Sequence, residues 1–325
     1  MKTLLNLFPG LATAGLLGII AAPAAAGRNL QMVVVAEQTG AMTAPALPTP
    51  EHPASYVAFD GGYIEAGDPI ANLQPPAAAT VAQALQAAVA GRGYEPASGP
   101  TTPSVILLYH WGFIRRDSQA VRNGNKIDPN LHARLSLVSP DRQREDLEEE
   151  LVNSHLLGSG NAVTRGPGFL NFHQRDVLQL AHDSRYFVVV SAYDYAAASR
   201  QEPKLLWRAK MSAYDGGISM AEALPSLLQG GAPFLGRNLG DFEYVTTSLV
   251  SGGRGESGAQ RFAPPVGNPG SLDAGFLRGL MKQEHDEFSG VHPYDKTAYD
   301  PIVSAPPAGA SAAKPVIQPK QTGTY

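Results

Sequence analysis

The sequence predicts an α+β fold built on a mixed, largely antiparallel sheet, with a central hairpin and helices packed mainly on one face. Three observations predict it. Residues 185–194 read RYFVVVSAYD, and 186–190 are apolar without a break, as in a strand covered on both faces. Residues 205–214 read LLWRAKMSAY and alternate, with Trp207, Ala209, Met211 and Ala213 on one side and Leu206, Arg208, Lys210 and Ser212 on the other. That period of two marks a strand with one wet face. Lastly, Val81, Leu85 and Val89 form the stripe of an amphipathic helix too short to persist alone, which must therefore lie on a sheet.

The chain begins Met1-Lys2, continues with an apolar run over residues 11–22 and reaches Ala24-Ala25-Ala26 before Gly27. A basic start, a short apolar core and an Ala-x-Ala end predict a secretory signal peptide over residues 1–26 and a periplasmic or extracellular protein. The run is shorter than the roughly 20 residues a membrane span needs. There is no cysteine, which excludes disulfides, thiolate metal sites, cysteine nucleophiles and a lipid-modified cysteine. The formal charge is −4, and loss of Lys2 with the signal peptide makes it more negative, against non-specific nucleic-acid binding.

Residues 30–36 (LQMVVVA) read as a first strand, followed by a proline-rich connector that closes an N-terminal segment at residue 55. Residues 56–250 read as a single α+β domain. Its opening strand, residues 56–59, runs into Asp60-Gly61-Gly62, which shares turn chemistry with Asp215-Gly216-Gly217. One Asp per turn is too few for calcium, which takes six or more oxygens. Thr80 is placed to cap the first helix, and Gly91 or Gly93 to end it. Residues 104–111 (SVILLYHW) supply the strand beneath that helix, and residues 131–138 read as a short strand or extended piece. Ser139-Pro140-Asp141 opens a helix, Asn171 caps another, and residues 219–228 form a third that Pro225 should end or kink. Residues 242–250 read as the last strand. In the irregular segment 251–300, Ser271 caps a docking helix carrying Phe276, Leu277, Leu280 and Met281, and residues 301–325 form a disordered or extended Pro/Ala-rich tail.

Chemistry is sparse. Gly253-Arg254-Gly255-Glu256-Ser257-Gly258 matches GxGxxG, but no helical stripe follows to aim backbone amides at a pyrophosphate. Glu284, His285, Asp286, Glu287 and His292 are dense in metal-ligand types, yet they lack HExxH spacing and read as a solvated helix end. His173 and His182 stand nine apart, two and a half turns, and cannot share a helix face. No serine sits in a GxSxG elbow. No catalytic residue, metal or cofactor is therefore assigned. The binding candidates are Tyr109, His110 and Trp111 at a strand end, Arg115 close by, and Asp194 and Tyr195 at the hairpin tip; aromatics and arginine are good anchors for sugars or anions.

Gly93-Tyr94, the PSVILLYHWG of residues 103–112 and Leu206-Trp207-Arg208 together resemble small exported bacterial envelope domains of unknown function, which often occur as lipoproteins. The likeness spans roughly residues 56–215 and implies no catalytic residues; the missing cysteine departs from it. The expectation is a non-enzymatic binding or assembly protein of the envelope. Its partner would be an envelope protein or a glycan, self-association is open, and nucleic acid is not expected. Two alternatives stand beside it. One is a secreted hydrolase, for which Asp194, His110 or Glu284 would have to converge. The other is a glycan- or solute-binding module using Tyr109, His110 and Trp111.

Overall fold

The computed structural model describes residues 28–40, 47–67, 75–98, 100–116, 129–153, 170–250 and 263–289. The expected signal peptide, the GxGxxG segment, His292 and the C-terminal tail lie outside them.

Seven strands form one open sheet: β1 (Asn29–Gln38), β2 (Ala54–Ala66), β3 (Tyr94–Pro96), β4 (Val105–Ile114), β5 (Arg185–Asp194), β6 (Leu205–Tyr214) and β7 (Phe242–Ser248). Their order is β3-β2-β4-β5-β6-β1-β7. β2 runs parallel to β3 and β4, and every other pairing is antiparallel. The fold is therefore α+β with a mixed sheet, as the sequence predicts. The β5–β6 hairpin lies inside it, in register from Arg185 opposite Tyr214 to Ala192 opposite Trp207. β1 is no appendage, because it sits between β6 and β7.

The helices cover both faces rather than mainly one. α1 (Ala78–Ala90) and α6 (Met220–Gly231) lie on the first face. There Val81, Leu85, Val89, Leu224, Leu227 and Leu228 pack against Val34, Leu107, Val188, Val190, Trp207 and Met211. The second face carries α2 (Pro129–Val138), α3 (Asp141–Asn153), α4 (Phe172–Ala181) and α7 (Ala274–Ser289), with the short α5 (Tyr195–Ala198) at the hairpin tip. β4 and β5 are buried along almost their whole length. Apolar strands of that kind need cover on both sides.

Several local expectations change for identifiable reasons. Residues 131–138 are helical, not extended. α2 is buried on nearly every side, beneath α4 and α7, so it carries no clean stripe. α6 continues through Pro225, because a capping box between Ser219 and Glu222 and a buried stripe hold it on both sides. α1 starts after Ala77 with no side-chain cap, so Thr80 is not its cap. α7 is capped by Asp273, whose Oδ1 accepts from the Phe276 amide at 2.6 Å, and not by Ser271. The Asn171 cap is present as a capping box with Gln174.

Asp60-Gly61-Gly62 is not a turn. It is a bulge, and β2 continues beyond it to Ala66. Asp215-Gly216-Gly217 does end its strand in a turn. The bulge brings the Gly61 backbone onto the imidazole of His110, where an added Cβ would lie 2.1 Å from a ring carbon. Gly61→Ala is thus expected to lose about 1–3 kcal/mol in urea denaturation through overpacking. His110→Ala in the same chain should recover part of it; losses that simply add would show that the contact is not the cause.

Candidate functional site

The densest chemistry lies on the second face, where the alternation of β6 places Arg208 and Lys210. The sequence reads that face as wet. The structure buries it, leaving Arg208 8% and Lys210 0% exposed. The neighbouring strand explains why: β5 is covered on both sides, and the same helical layer extends over β6.

Each cation is met by carboxylates. Lys210 Nζ donates to Asp141 Oδ1 at 2.8 Å and to the Ser139 carbonyl at 3.0 Å, and it is ion-paired with Glu37 Oε2 at 3.0 Å. Glu37 Oε1 in turn accepts from the Asp141 amide at 2.9 Å, so β1 holds the first residue of α3. Arg208 Nε donates to Ser191 Oγ at 3.1 Å, Nη1 to both oxygens of Glu287 at 3.0 and 3.2 Å, and Nη2 to Glu284 Oε1 at 3.0 Å. Burial works against the Arg208 charge, but Glu284 and then Glu287 outweigh it and hold its pKa above the usual range. Burial also pushes the Asp141 carboxyl up, and Lys210 followed by Arg208 overcomes this and holds it low.

Glu284 ends the chain of contacts. It is 1% exposed, and its Oε1 also accepts from Tyr193 Oη at 2.5 Å. Burial, then Glu284, pushes the Tyr193 phenol up. Glu284 Oε2 lies 3.7 Å from His110 Nε2. Neither that oxygen nor either His110 ring nitrogen has a hydrogen-bond partner among the described residues. Burial holds the His110 imidazole down at about 4, against the pull of Glu284. Glu284 is thus no part of a solvated helix end, because α7 turns this side of itself onto the sheet.

A second buried acid, Asp60, lies on the first face. Its Oδ1 accepts from the Gly62 amide at 2.8 Å and Trp111 Nε1 at 3.2 Å, and its Oδ2 from the Ala263 amide at 2.8 Å. Burial pushes it up to about 7 against those bonds.

The sequence-derived binding residues do not gather into one surface. Strand alternation sends Tyr109 and Trp111 to the first face and His110 to the second, and all three are sealed from solvent. They form no sugar platform. Arg115 follows β4 and is held through its backbone, donating to the Ala66 carbonyl at 2.8 Å and accepting from Arg134 Nη1 at 2.7 Å. Asp194 caps α5 by accepting from the Ala197 amide at 2.9 Å, and it pairs with Lys204 at 3.4 Å. Tyr195 is buried, its Oη donating to the Pro269 carbonyl at 3.1 Å.

Of the three residues required to converge for hydrolysis, His110 and Glu284 meet and Asp194 does not. Asp194 stands opposite Val105 in the register, whereas His110 stands opposite Val189, a separation of about 16 Å along the strands. Sequence reasoning missed Arg208, Lys210, Glu37, Asp141 and Tyr193 as members of a cluster, and read Glu287 with Glu284 as part of a solvated helix end. The signal that could find them is the adjacency of charged β6 positions to a strand with no polar face. Among the described residues no group of three or more His, Cys, Asp or Glu is placed to hold a metal ion.

Comparison with protein-family models gives no match, and comparison with curated proteins gives none either. The functional reading therefore rests on geometry. Chemically, the cluster is an ionic clamp with a sealed centre at His110 and Glu284 and a rim that reaches solvent at Asp141, Glu287 and Glu37.

Arg208→Met leaves Glu284 buried without its cation and is expected to cost about 3–5 kcal/mol in chemical denaturation. Arg200→Met, at the exposed pair with Glu202, should leave the midpoint where it is. Equal effects at the two sites would argue that the clamp carries no special weight.

Acid stability separates Asp60 from His110, both of them buried. His110 in the unfolded chain takes its proton near the ordinary value of about 6.5, whereas in the fold it waits until about 4. It therefore removes stability as pH falls through that window. Asp60 acts oppositely. Its folded carboxyl is protonated below about 7, the unfolded one only below about 3.9, so its contribution is complete in acid and is lost as pH rises through about 7. Asp60→Asn should thus steepen the acid-side fall in the urea midpoint, and a slope unchanged by the substitution would refute the opposition.

Proposed function

We propose that the protein is exported and acts at the bacterial cell envelope in binding or assembly, without enzymatic chemistry of its own. One observation carries this reading: large aromatic side chains stand in solvent beside the β7 edge. Phe172, at the start of α4, is 84% exposed, and Tyr244 on β7 is 56% exposed. Between them His173 stacks on Phe242 at 5.5 Å, and Phe242 meets Tyr244 edge-on at 5.4 Å. Exposed, mutually supported aromatics are what protein interfaces use as anchors. The polar cluster supports the same reading from the other side, since its most reactive pair is sealed and a binding role needs no access to it.

The export half of the reading rests on the N-terminal pattern of Lys2, an apolar run and Ala24-Ala25-Ala26. The test has two arms. N-terminal sequencing of protein from the native cell should begin near Gly27, in periplasm or medium. A photo-crosslinking amino acid at Tyr244 should give an adduct of discrete mass that is missing when the probe replaces Arg200. An intact Met1 in the cytoplasm would end the export reading. Ester or glycoside hydrolysis abolished by His110→Ala would replace binding with catalysis.

A further inference from the structure

The two edges of the sheet are built differently. β3 is three residues long and ends in Pro96, so it offers little to an incoming strand. Short edges and proline are standard protections against strand addition. β7 closes the other edge with seven residues, FEYVTTS, containing no proline, lysine or arginine. Its pairing with β1 runs from Asn29 opposite Ser248 to Val35 opposite Phe242 without a register shift, so no bulge twists it away. No other strand of the described residues pairs with its outer side.

We propose that a second copy of this chain occupies that edge, its β7 running antiparallel to the first about a two-fold axis at Val245. This rests on the assembly reading above and names its partner. The sequence of β7 fits the arrangement. Centring on Val245 sets Tyr244 opposite Thr246 of the partner subunit, Glu243 opposite Thr247 of the partner subunit and Phe242 opposite Ser248 of the partner subunit. No like charges face one another, and Glu243 stands about 13 Å along the strands from its own equivalent. The two Tyr244 rings become diagonal neighbours, within the reach of aromatic side chains. Antiparallel pairing in one sheet keeps like faces together, so the two His173–Phe242–Tyr244 strips join on one side of it. The outer amides and carbonyls of β7 gain partners, and a continuous sheet runs through both molecules. A two-fold contact of this kind is self-complementary and closes at two copies.

The absence of cysteine makes the test clean. Val245→Cys places one thiol at the axis, opposite its own equivalent, and mild oxidation should link it into a covalent dimer. Glu243→Cys, with its equivalent out of disulfide reach, should not link comparably. Light scattering after size exclusion should give twice the chain mass for the unmodified protein. Thr246→Glu, which brings two carboxylates together diagonally, should weaken the dimer at least about tenfold, with the far-UV spectrum unchanged. A monomer at the highest soluble concentration overturns the proposal. So does a dimer that neither links through Val245→Cys nor responds to Thr246→Glu. The broader reading fails separately. A monomer that still gives a Tyr244 photo-adduct with another protein removes only the second copy, whereas a monomer that gives none removes both.

Discussion

Two buried cations on β6 constrain the second layer of the molecule. Lys210 and Arg208 point into a space that the apolar strand beside them would otherwise keep dry, and four carboxylates reach them from three directions. Glu37 comes from β1, Asp141 from the start of α3, and Glu284 and Glu287 from α7. Removing such charges from water costs several kcal/mol per ion, and their attraction returns that only when the geometry is good. The clamp is therefore a poor source of stability and a strong source of position. Sliding β6 by one residue would turn both cations onto the first face, among the leucines of α6, and Trp207 and Met211 onto the second. Register, the seating of α3 and the rotation of α7 are thus selected together.

This coupling explains the unusual place of β1. A strand near the N-terminus could pair at an edge, but it lies between β6 and β7. Val33 opposite Ser212 and Glu37 opposite Arg208 set its register against β6. In that register Glu37 reaches both Lys210 and the backbone of Asp141. The first described strand and the last described helix consequently meet at one charge cluster, although more than two hundred residues separate them. Loop closure over such a distance is entropically expensive, so hydrophobic burial on both faces must supply the main driving force, with the cluster choosing among compact arrangements.

What the sequence reveals follows from what alternation can carry. The β5–β6 hairpin, the α1 stripe, the Asn171 cap and the hydrophobic side of α7 are legible because each depends on residues close together in the chain. The face of β6 is not. Arg208 and Lys210 look like solvent positions until β5 and the helical layer are in place, since burial of a charge is decided by partners that arrive from elsewhere. Glu284 fails for the same reason, as one acid in a run of acids distinguished only by the side of α7 it occupies. α2 is the complementary case. A helix buried all round has no stripe to read, so residues 131–138 pass for a strand. The trio Tyr109, His110 and Trp111 shows the opposite error, in which adjacency in sequence suggests one surface and strand geometry divides it.

The same physics bears on function. The clamp spends its own charged groups on internal pairing. Beside the β7 edge the exposed groups include the rings of Phe172 and Tyr244 and the outer main chain of β7. On the binding reading proposed above, those groups recognise shape and backbone rather than a reacting bond. A rigid sheet blunted at one edge and open at the other has a direction for growth, and growth from one edge by a two-fold contact stops after a single step. The interior clamp and the open edge thus belong to one design, because a strand can offer its free side to a partner only if its inner side is held firmly. β7 is held along its full length by β1, and β1 is held by the register that Arg208 and Lys210 impose.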